Sequence, residues 1–506
     1  MSGGISSRTL FDLMTSRALF LRCACLVLAA ILLSGCSAPP PEHPNVLLIT
    51  VDTLRVDRIS CYGGPQGNTP HIDTLARRGV RFQSVQAPRG LTWPSMTTLL
   101  TGLHPRTHHV RRNGNMLAEQ FATLPEILQA EGYETGGFLS NMCDAPNRGL
   151  EHFFCAWWGE VDQKASRRAR QWASHDQPSW DASITRHAED FIRTQRKHPF
   201  FAWVHYIDPH KPYDPVNEYL RDEYDGSFPT DDASLDTRIL SQKPLDGRER
   251  RQLLAVYDSQ VSGVDAHIGH LLATLEEAGL AEKTLVIFAA DHGEELGDHN
   301  VYFYHLSSVY QQVLSTPLLL CWPGHIPPGL VVDQPIAGVD ITPTILDLVH
   351  LPALPAMEGV SRQGLALGAP GAHGAQVTYA EWSDQIVVVG EGPWRYIWNP
   401  DHHKTGGRPW SSVKGMGFRI EAEELYNLSR DPGQHTNLSE QLPDRAAAMR
   451  EKACAFVTEK DFRRQDRRST PEDVRKRLES LGYVQAVEDT SPGPGIAVHC
   501  EIGHQD

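Results

Sequence analysis

The stretch TLVIFAADHGE, Thr284 to Glu294, joins an uninterrupted apolar run to a carboxylate and an imidazole. A buried parallel strand reads as a near-continuous apolar run, and ligands collect at the carboxyl ends of such strands. Asp291 and His292 directly follow the run, so they are candidate metal ligands, with a purely structural role as the ordinary alternative. The stretch therefore predicts a strand of an α/β sheet with a site at its end.

The same arrangement occurs twice upstream. The apolar run NVLLITV, Asn45 to Val51, leads into Asp52. The run FFAWVHYI, Phe200 to Ile207, leads into Asp208 and His210. Because the carboxyl ends of parallel strands share one edge of a sheet, these residues predict a hydrolytic metal site at that edge.

Helical stretches separate the apolar runs. In Ser262 to Ala278 the apolar residues recur at i, i+3, i+4 and i+7, as Ile268, Leu271, Leu272 and Leu275. A second helix is predicted at Ala182 to Arg196, and Asp208 to Arg248 reads as a long surface excursion over the site. This alternation predicts the α/β class, with a mostly parallel central sheet flanked by helices.

Length and composition limit the organisation and the partners. The 506 residues permit one large α/β domain with a smaller companion, and the formal charge of −15 argues against a nucleic-acid partner. After Val349 the sequence turns to Pro, Gly and Ala and then to the short β-like pieces VTYAEW and WRYIW, which predict a smaller C-terminal α+β subdomain. The predicted parts are a signal at 1–35, a tether at 36–44, a catalytic domain at 45–355, the C-terminal subdomain at 356–484 and a flexible tail at 485–506.

The first 36 residues have the pattern of an export signal. Arg8, Arg17 and Arg22 precede or interrupt an apolar stretch, Ala18 to Leu33. The stretch closes with LSGC, which resembles a bacterial lipobox and implies cleavage before Cys36 and acylation of its thiol. A plain signal peptide or an uncleaved anchor is the alternative. In every case we expect the folded part outside the cytoplasm, and the lipobox predicts a lipid anchor in the membrane.

Six cysteines follow Cys36, namely Cys61, Cys143, Cys155, Cys321, Cys454 and Cys500. Their wide spacing fits no zinc-finger pattern. An exported chain can form disulfides, so Cys143 with Cys155 is the pair to test first, while the other pairings stay open.

The segment LTWPSMTTLLTG, Leu91 to Gly102, predicts a helix that begins at a hydroxyl residue. Thr92 suits the N-cap position, and Pro94 is tolerated in the first turn. Helix N-termini attract anions through free N–H groups and the macrodipole, so a tetrahedral oxyanion could bind against Thr92. The alternative is that Thr92 is only a cap.

Seven blocks of the chain stand in a characteristic order: NVLLITVDTLRVDRISCYGG, TPHIDTLARRGVRF, TWPSMTTLLTGLHP, PFFAWVHYIDPHKPYDP, TLVIFAADHGEELGDH, VDITPTILDL and ELYNLSRDPGQHTNL. They resemble the successive blocks of the sulfatase family, in the alkaline phosphatase superfamily, and run from Asn45 to about Leu438. The ending LESLGYV, Leu478 to Val484, also occurs in family members. The resemblance implies an alkaline phosphatase/sulfatase-like fold and an ester hydrolase.

The resemblance also implies roles for matched residues. It makes Asp52, Asp291 and His292 metal ligands, and it makes Thr92 both the nucleophile and the fourth ligand. These four residues form the implied metal centre.

Further residues receive weaker implied roles, because a lone His or Arg is more often structural. His210 would bind the anionic oxygens of the substrate, and His305 would protonate the leaving group. Arg111 and Arg112, which follow His108, lie where family members place basic groups near the nucleophile, and these three would contact the substrate.

The chain departs from the family pattern at the nucleophile. Sulfatases that use formylglycine need Cys or Ser in a CxPSR motif, because that residue is oxidised to the aldehyde. Here the motif is TWPSM, so Thr92 replaces the oxidisable residue and Met96 replaces the arginine. Thr53 also follows Asp52 where those sulfatases carry a second carboxylate. The remaining set resembles that of threonine-using relatives such as lipoteichoic acid synthases and phosphoethanolamine transferases.

The leading interpretation is an exported, lipid-anchored, metal-dependent hydrolase of sulfate or phosphate esters with Thr92 as nucleophile. A threonine ester cannot eliminate sulfate as a formylglycine hemiacetal can, which favours phosphoesters. The predicted cofactor is one divalent metal ion, Mn, Zn, Mg or Ca, because the donor set combines oxygen and nitrogen. The predicted substrate is a small-molecule, lipid or glycan ester, and the oligomeric state is not predicted.

Three alternatives stay open. The first is a transferase that moves a phospho-alcohol group within the cell envelope. The second is a two-metal phosphodiesterase, for which Asp208, His210 and His305 would supply further ligands. The third is an inactive family member that binds glycans, against which the retained metal-ligand residues argue.

Overall fold

A mostly parallel sheet lies at the centre of the fold. The computed structural model describes residues 43–143, 148–156, 179–213, 215–231, 234–235, 244–305, 308–382, 386–401, 420–459 and 500. The strands up to residue 337 are β1 (Asn45–Val51), β2 (Val80–Gln86), β3 (Glu134–Leu139), β4 (His152–Cys155), β5 (Phe200–Tyr206), β6 (Thr284–Ala290), β7 (Glu295–Leu296), β8 (Tyr302–Tyr304), β9 (Ser315–Cys321), β10 (Leu330–Val332) and β11 (Ile336–Ala337). Within the described residues, nine of them form one sheet in the order β10-β2-β9-β6-β1-β5-β3-β4, with β11 also on β2, while β7 pairs with β8.

Strand direction decides where the site lies. Strands β3, β5, β1 and β6 are parallel neighbours. Strand β9 is antiparallel to both β6 and β2, so β2 points the same way as β6. Strand β4 is parallel to β3, and β10 and β11 are parallel to β2. The carboxyl ends of eight strands, β1 to β6, β10 and β11, therefore point toward one edge of the sheet.

Helices cover both faces of the sheet, as the burial of parallel strands requires. The helices are α1 (Pro70–Arg78), α2 (Thr92–Thr101), α3 (Pro105–His108), α4 (Leu124–Ala130), α5 (Trp180–Arg193), α6 (Gly247–Glu277), α7 (Gln311–Leu314), α8 (Ile341–Leu348), α9 (Gln363–Ala366) and α10 (Pro443–Glu459). Alternate residues of β1 enter different cores: Leu48 packs in the layer of α2 and α8, and Leu47 and Ile49 in the layer of α1, α5 and α6. The predicted class, α/β with a mostly parallel sheet flanked by helices, is confirmed.

The two predicted helices exist with different limits. The helix predicted at 182–196 spans Trp180–Arg193. The one predicted at 262–278 is the second half of α6, which begins after a capping box formed by Asp246 and Glu249. The first half was missed because Gln252, Asp258 and Gln260 are polar yet buried, which interrupts the apolar period. The surface excursion after Asp208 therefore ends at the start of α6.

A second sheet follows in the C-terminal part. Its strands are antiparallel neighbours in chain order: β12 (Thr378–Trp382), β13 (Ile386–Glu391), β14 (Trp394–Trp398) and β15 (Glu423–Asn427). One face packs on α10, and Val388 and Ile397 on the other face pack against Val309 and Tyr310. The sequence indicated β12 and β14 but missed β13 and β15. Residues from Pro44 onward form one compact unit, and the domain boundaries given above stay predictions.

Two disulfides occur among the described residues. Cys143 is bonded to Cys155, as predicted, and Cys454 is bonded to Cys500. Cys61 and Cys321 are free. The first bond ties the loop after β3 to the end of β4, directly beside the carboxyl edge of the sheet.

The predicted signal and Cys36 lie outside the described residues. So do LESLGYV and, apart from Cys500, the predicted tail. In the part of the chain that the structure describes, no helix combines the length and the apolar character needed to cross a membrane.

Removing the predicted disulfide should destabilise the fold. We expect the double substitution Cys143→Ser and Cys155→Ser to lower the free energy of unfolding by about 2–4 kcal/mol, because the open loop regains entropy in the unfolded chain. Urea unfolding of the purified protein measures the change. Cys61→Ser, at a free and half-buried thiol, is the matched control, and equal midpoints for the double variant and the wild type would contradict the prediction.

Candidate active site and metal centre

Three buried side chains meet where β1 and β6 end. The two strands are paired in register, with Val51 opposite Ala290, so Asp52 and Asp291 emerge side by side. His292 Nε2 lies 3.3 Å from an Asp291 carboxylate oxygen and 3.9 Å from Asp52 Oδ1. One donor atom from each of the three residues lies within 4.8 Å of the others. The structure thus brings together three of the four predicted metal ligands.

Backbone groups and one amide orient these three side chains. The His292 Nδ1–H donates to the Gly293 carbonyl at 2.9 Å, which turns the lone pair of Nε2 toward the carboxylates. Asp291 Oδ1 accepts the N–H groups of Thr53 at 3.1 Å and His292 at 2.6 Å. Asn141, at the end of β3, donates its Nδ2–H to Asp52 Oδ2 at 3.0 Å. The atoms that would bind a metal, one from each of the three residues, therefore face one another.

This arrangement fits a divalent cation. The three residues are at most 2% exposed, and His292 Nε2 has no hydrogen-bond partner among the described residues. Burial raises the pKa of Asp291 to about 7, since a charged carboxylate is poorly solvated there. Oxygen and nitrogen ligands at ~2.0–2.2 Å from one ion stand roughly 3–4 Å apart, and the distances of 3.3 and 3.9 Å from His292 Nε2 to the two carboxylates lie in this range. A bound cation would offset the repulsion between the carboxylates.

Thr92 lies at the same edge, at the start of α2. The predicted N-cap position is wrong by one residue: Leu91, with extended backbone angles, is the N-cap, and Thr92 is the first helical residue. Its hydroxyl therefore makes no capping bond, and Thr92 Oγ1 is buried without a hydrogen-bond partner among the described residues. The hydroxyl is available for a ligand.

Close backbone packing brings Thr92 to the segment around His305. A Cβ added to Gly90 would lie 2.8 Å from the His305 carbonyl oxygen and 2.6 Å from Val313 Cγ1. The N–H of Gly293 bonds to the Val313 carbonyl at 2.8 Å. Gly90, two residues before Thr92, and Gly293, directly after His292, thus both pack against Val313. Only glycine fits at position 90.

Asn113 is a site residue that the sequence did not reveal. Its Oδ1 accepts the N–H of Trp93 at 2.9 Å and so caps the first turn of α2. Its Nδ2 is buried and has no hydrogen-bond partner among the described residues. An amide donor is therefore held beside Thr92 by the helix that carries Thr92.

Three imidazoles line the site. The ring centroid of His305 lies 4.5 Å from that of His292 and 5.4 Å from that of His210. His305 Nδ1 bonds to Glu294 Oε2 at 3.2 Å, and the His210 Nδ1–H donates to the Lys211 carbonyl at 2.6 Å. Burial lowers the pKa of both His210 and His305. The charge of a neighbouring imidazole lowers each pKa further, that of His305 acting on His210 and that of His292 acting on His305. Both predicted catalytic histidines thus lie next to the metal centre.

The three predicted substrate contacts differ from one another. His108 is fully buried; its Nδ1 accepts the Val110 N–H and its Nε2 bonds to Thr98, both at 3.0 Å. These bonds fix the ring inside the protein, which supports a structural role. Arg111 is half-buried and Arg112 is exposed, and Asn115 accepts both of their backbone N–H groups. Substrate contacts by these residues stay predictions.

A family model described as Sulfatase matches residues 44–351, which is more than half of the chain. The chain belongs to the sulfatase family. The match begins with β1 and ends just after α8, so it contains Asp52, Thr92, Asp291 and His292. The predicted family is confirmed, and with it the predicted class of sulfatase-like ester hydrolase. Membership in its threonine-using branch stays a prediction.

Individual relatives support the sulfatase assignment. An ulvan-active sulfatase of Formosa agariphila is 27% identical over 63% of this chain and 64% of its own length. An N-acetylglucosamine-6-O-sulfatase of Bacteroides thetaiotaomicron is 22% identical over 82% of this chain and 86% of its own. The solved structure of a phosphonate monoester hydrolase of Agrobacterium radiobacter has a TM-score of 0.64, at 20% identity, over 83% of this chain and 96% of the other. This last likeness shows the fold alone.

Asn141 should control the affinity of this sulfatase-family site for a divalent cation. Without its hydrogen bond Asp52 loses its orientation, so we expect Asn141→Ala to weaken Mn²⁺ or Zn²⁺ binding about 10–100-fold in calorimetric titration. Asn45→Ala is the matched control, because Asn45 bonds to Thr284 and Phe200 at the opposite end of β1. Equal affinity of Asn141→Ala and the wild type would contradict this role.

Proposed function

We propose that this protein hydrolyses sulfate or phosphate esters through a metal-assisted attack by the Thr92 hydroxyl. One observation carries the proposal: Thr92 Oγ1, His292 Nε2 and His305 Nε2 are all buried without a hydrogen-bond partner among the described residues. Buried polar atoms are normally satisfied, and the rings of His292 and His305 lie 4.5 Å apart, so a shared ligand is the interpretation that we favour. A divalent cation and a tetrahedral anionic ester together supply partners for all three.

Asp52, Asp291, His292 and Thr92 would hold one divalent cation, which is Mn, Zn, Mg or Ca in our proposal. When bound, the cation lowers the pKa of the Thr92 hydroxyl and stabilises the charge on the ester oxygens. Their mixed oxygen and nitrogen donors support this assignment. Among the described residues, Asp52, Asp291 and His292 form the one cluster of acid and imidazole side chains that could bind a metal ion. One such cluster favours one ion over two.

The proposed reaction has two displacements. Thr92 releases its hydroxyl proton to water, and Oγ1 forms a bond to sulfur or phosphorus as the bond to the leaving oxygen breaks. His305 Nε2, which takes up a proton from water beside the anionic ester, gives that proton to the leaving oxygen. Water then attacks the threonine ester, which restores the Thr92 hydroxyl and releases inorganic sulfate or phosphate.

Two further side chains bind the non-bridging oxygens in this proposal. Asn113 is held by the Trp93 N–H, so its Nδ2 donates to an oxygen where negative charge develops. His210 lies next to His305 and takes up a proton on Nε2 as the anionic ester binds, so that it also donates to these oxygens. Both donors are buried, and hydrogen bonds to charged oxygens are stronger in such surroundings.

The choice between sulfate and phosphate follows from the nucleophile. A threonine ester has one oxygen on its Cβ and cannot collapse to an aldehyde, so its breakdown needs the second displacement by water. Phosphate esters support such displacements, and we therefore expect phosphoesters to be cleaved at least as well as sulfate esters. The substrate is a small-molecule, lipid or glycan ester in our proposal.

The proposed location is the cell envelope, with a lipid on Cys36 anchoring the protein to a membrane. The lipobox-like LSGC carries this proposal. The two disulfides support it, because disulfides persist mainly in oxidising compartments outside the cytoplasm.

Thr92→Ala should abolish turnover. With the nucleophile removed, we expect kcat/KM for aryl phosphate and aryl sulfate esters to fall by at least about 10³-fold, whereas Thr92→Ser keeps measurable activity. Thr97→Ala is the matched control, because Thr97 lies in the same helix with an equally buried and unsatisfied hydroxyl. Unchanged activity of Thr92→Ala would exclude the mechanism. Release of the inorganic ion only when an acceptor alcohol is present would identify a transferase instead.

A further inference from the structure

Glu294 has an unusual position beside the metal centre. Its side chain is fully buried two residues after His292, yet it does not take part in the metal-ligand cluster. A buried carboxylate is unfavourable unless its oxygens are bonded. Both oxygens are bonded here: Oε1 accepts the Glu295 N–H at 3.1 Å, and Oε2 faces His305 Nδ1 at 3.2 Å.

Among the described residues no Lys or Arg forms an ion pair with this carboxylate, although the charge of Lys211 acts on it. Arg55 is the nearest guanidinium, but it donates to the carboxylates of Asp57 and Asp298 and only to the backbone carbonyl of Glu294, at 3.2 Å. Among the described residues His305 is therefore the one side chain that hydrogen-bonds to the Glu294 carboxylate.

The bond decides which way the His305 ring faces. An imidazole can rotate about its last side-chain bond and exchange the places of its ring atoms. Nδ1 faces the Glu294 carboxyl group, so Nε2 lies on the opposite side of the ring, buried and without a hydrogen-bond partner among the described residues. His292 packs against the face of the same ring, and the His305 carbonyl is in close contact with Gly90.

We propose that Glu294 is a positioning residue that holds the His305 ring with Nε2 toward the leaving oxygen of the ester. The inference rests on the proposed function, in which His305 protonates that oxygen. Glu294 itself contacts neither substrate nor metal. Its effect should therefore depend on how much the leaving group needs a proton.

The experiment compares phenyl and 4-nitrophenyl esters, because 4-nitrophenolate leaves without protonation and phenolate does not. We expect Glu294→Ala to slow phenyl ester hydrolysis about 10²-fold and 4-nitrophenyl ester hydrolysis less than about 10-fold, within the usual contribution of a general acid. Glu294→Gln should recover most of the phenyl ester rate, since its amide oxygen still accepts the Nδ1–H. Adding Glu294→Ala to His305→Gln should cost nothing further, because both changes remove one interaction.

Glu295→Gln is the matched control. Glu295 is the next residue, is equally buried and bonds to Ser308 rather than to His305, so the ratio of the two ester rates should not change. Equal losses for both esters in Glu294→Ala, or additive losses in the double variant, would overturn the proposal.

A crystal structure of Glu294→Ala tests the same claim without turnover. A rotated or displaced His305 ring supports the positioning role, and an unchanged ring overturns it. If Glu294→Ala does not fold, the ring in Glu294→Gln decides: an unchanged ring supports the proposal, and a rotated one overturns it. A wild-type protein that cleaves neither ester would contradict the proposed function, and the ring orientation would still decide the role of Glu294.

Discussion

The burial of two carboxylates beside each other is the constraint on which the rest of the structure depends. Asp52 and Asp291 end adjacent strands at the carboxyl edge of the sheet and are at most 2% exposed. Two charged carboxylates repel each other strongly where water is excluded. The bonds from Asn141 and Thr53 orient these groups but leave the repulsion in place, so the arrangement is stable only with a proton or a cation between them. The parallel strand order and the approach of α2 bring every other reactive group to that point.

Much of this site could be predicted from the sequence, because the relevant strands are long apolar runs. Strands β1, β5 and β6 each end at a predicted site residue, and the family resemblance supplied Thr92 and His305. Asn141 was missed, since its partner Asp52 is 89 residues away and β3 carries two glycines that weaken its strand pattern. Asn113 lies in a loop, where only the folded chain reveals that it caps α2. The bond between Cys454 and Cys500 spans 46 residues and leaves no local signal.

The site combines a confirmed family with a threonine at the position where the formylglycine pattern has Cys or Ser. Sulfatases that use formylglycine rely on an aldehyde hydrate, which has a second hydroxyl for breakdown of the intermediate. Threonine lacks that hydroxyl, so the proposed reaction needs a water molecule aligned for a second displacement. A leaving-group acid with a fixed orientation suits that requirement, because after the first step its Nε2 can accept a proton from the attacking water. The Glu294 contact and the Thr92 substitution thus fit one mechanism.

The central claim is that the Thr92 hydroxyl becomes covalently bonded to the substrate, and trapping that bond tests it most directly. Enzyme turning over an aryl phosphate or sulfate ester would be quenched in acid, digested and analysed by peptide mass spectrometry. The account predicts one phosphoryl or sulfuryl group on the peptide that contains Thr92, present during turnover and absent without substrate. Rapid turnover with no adduct, or an adduct on another residue, would contradict it.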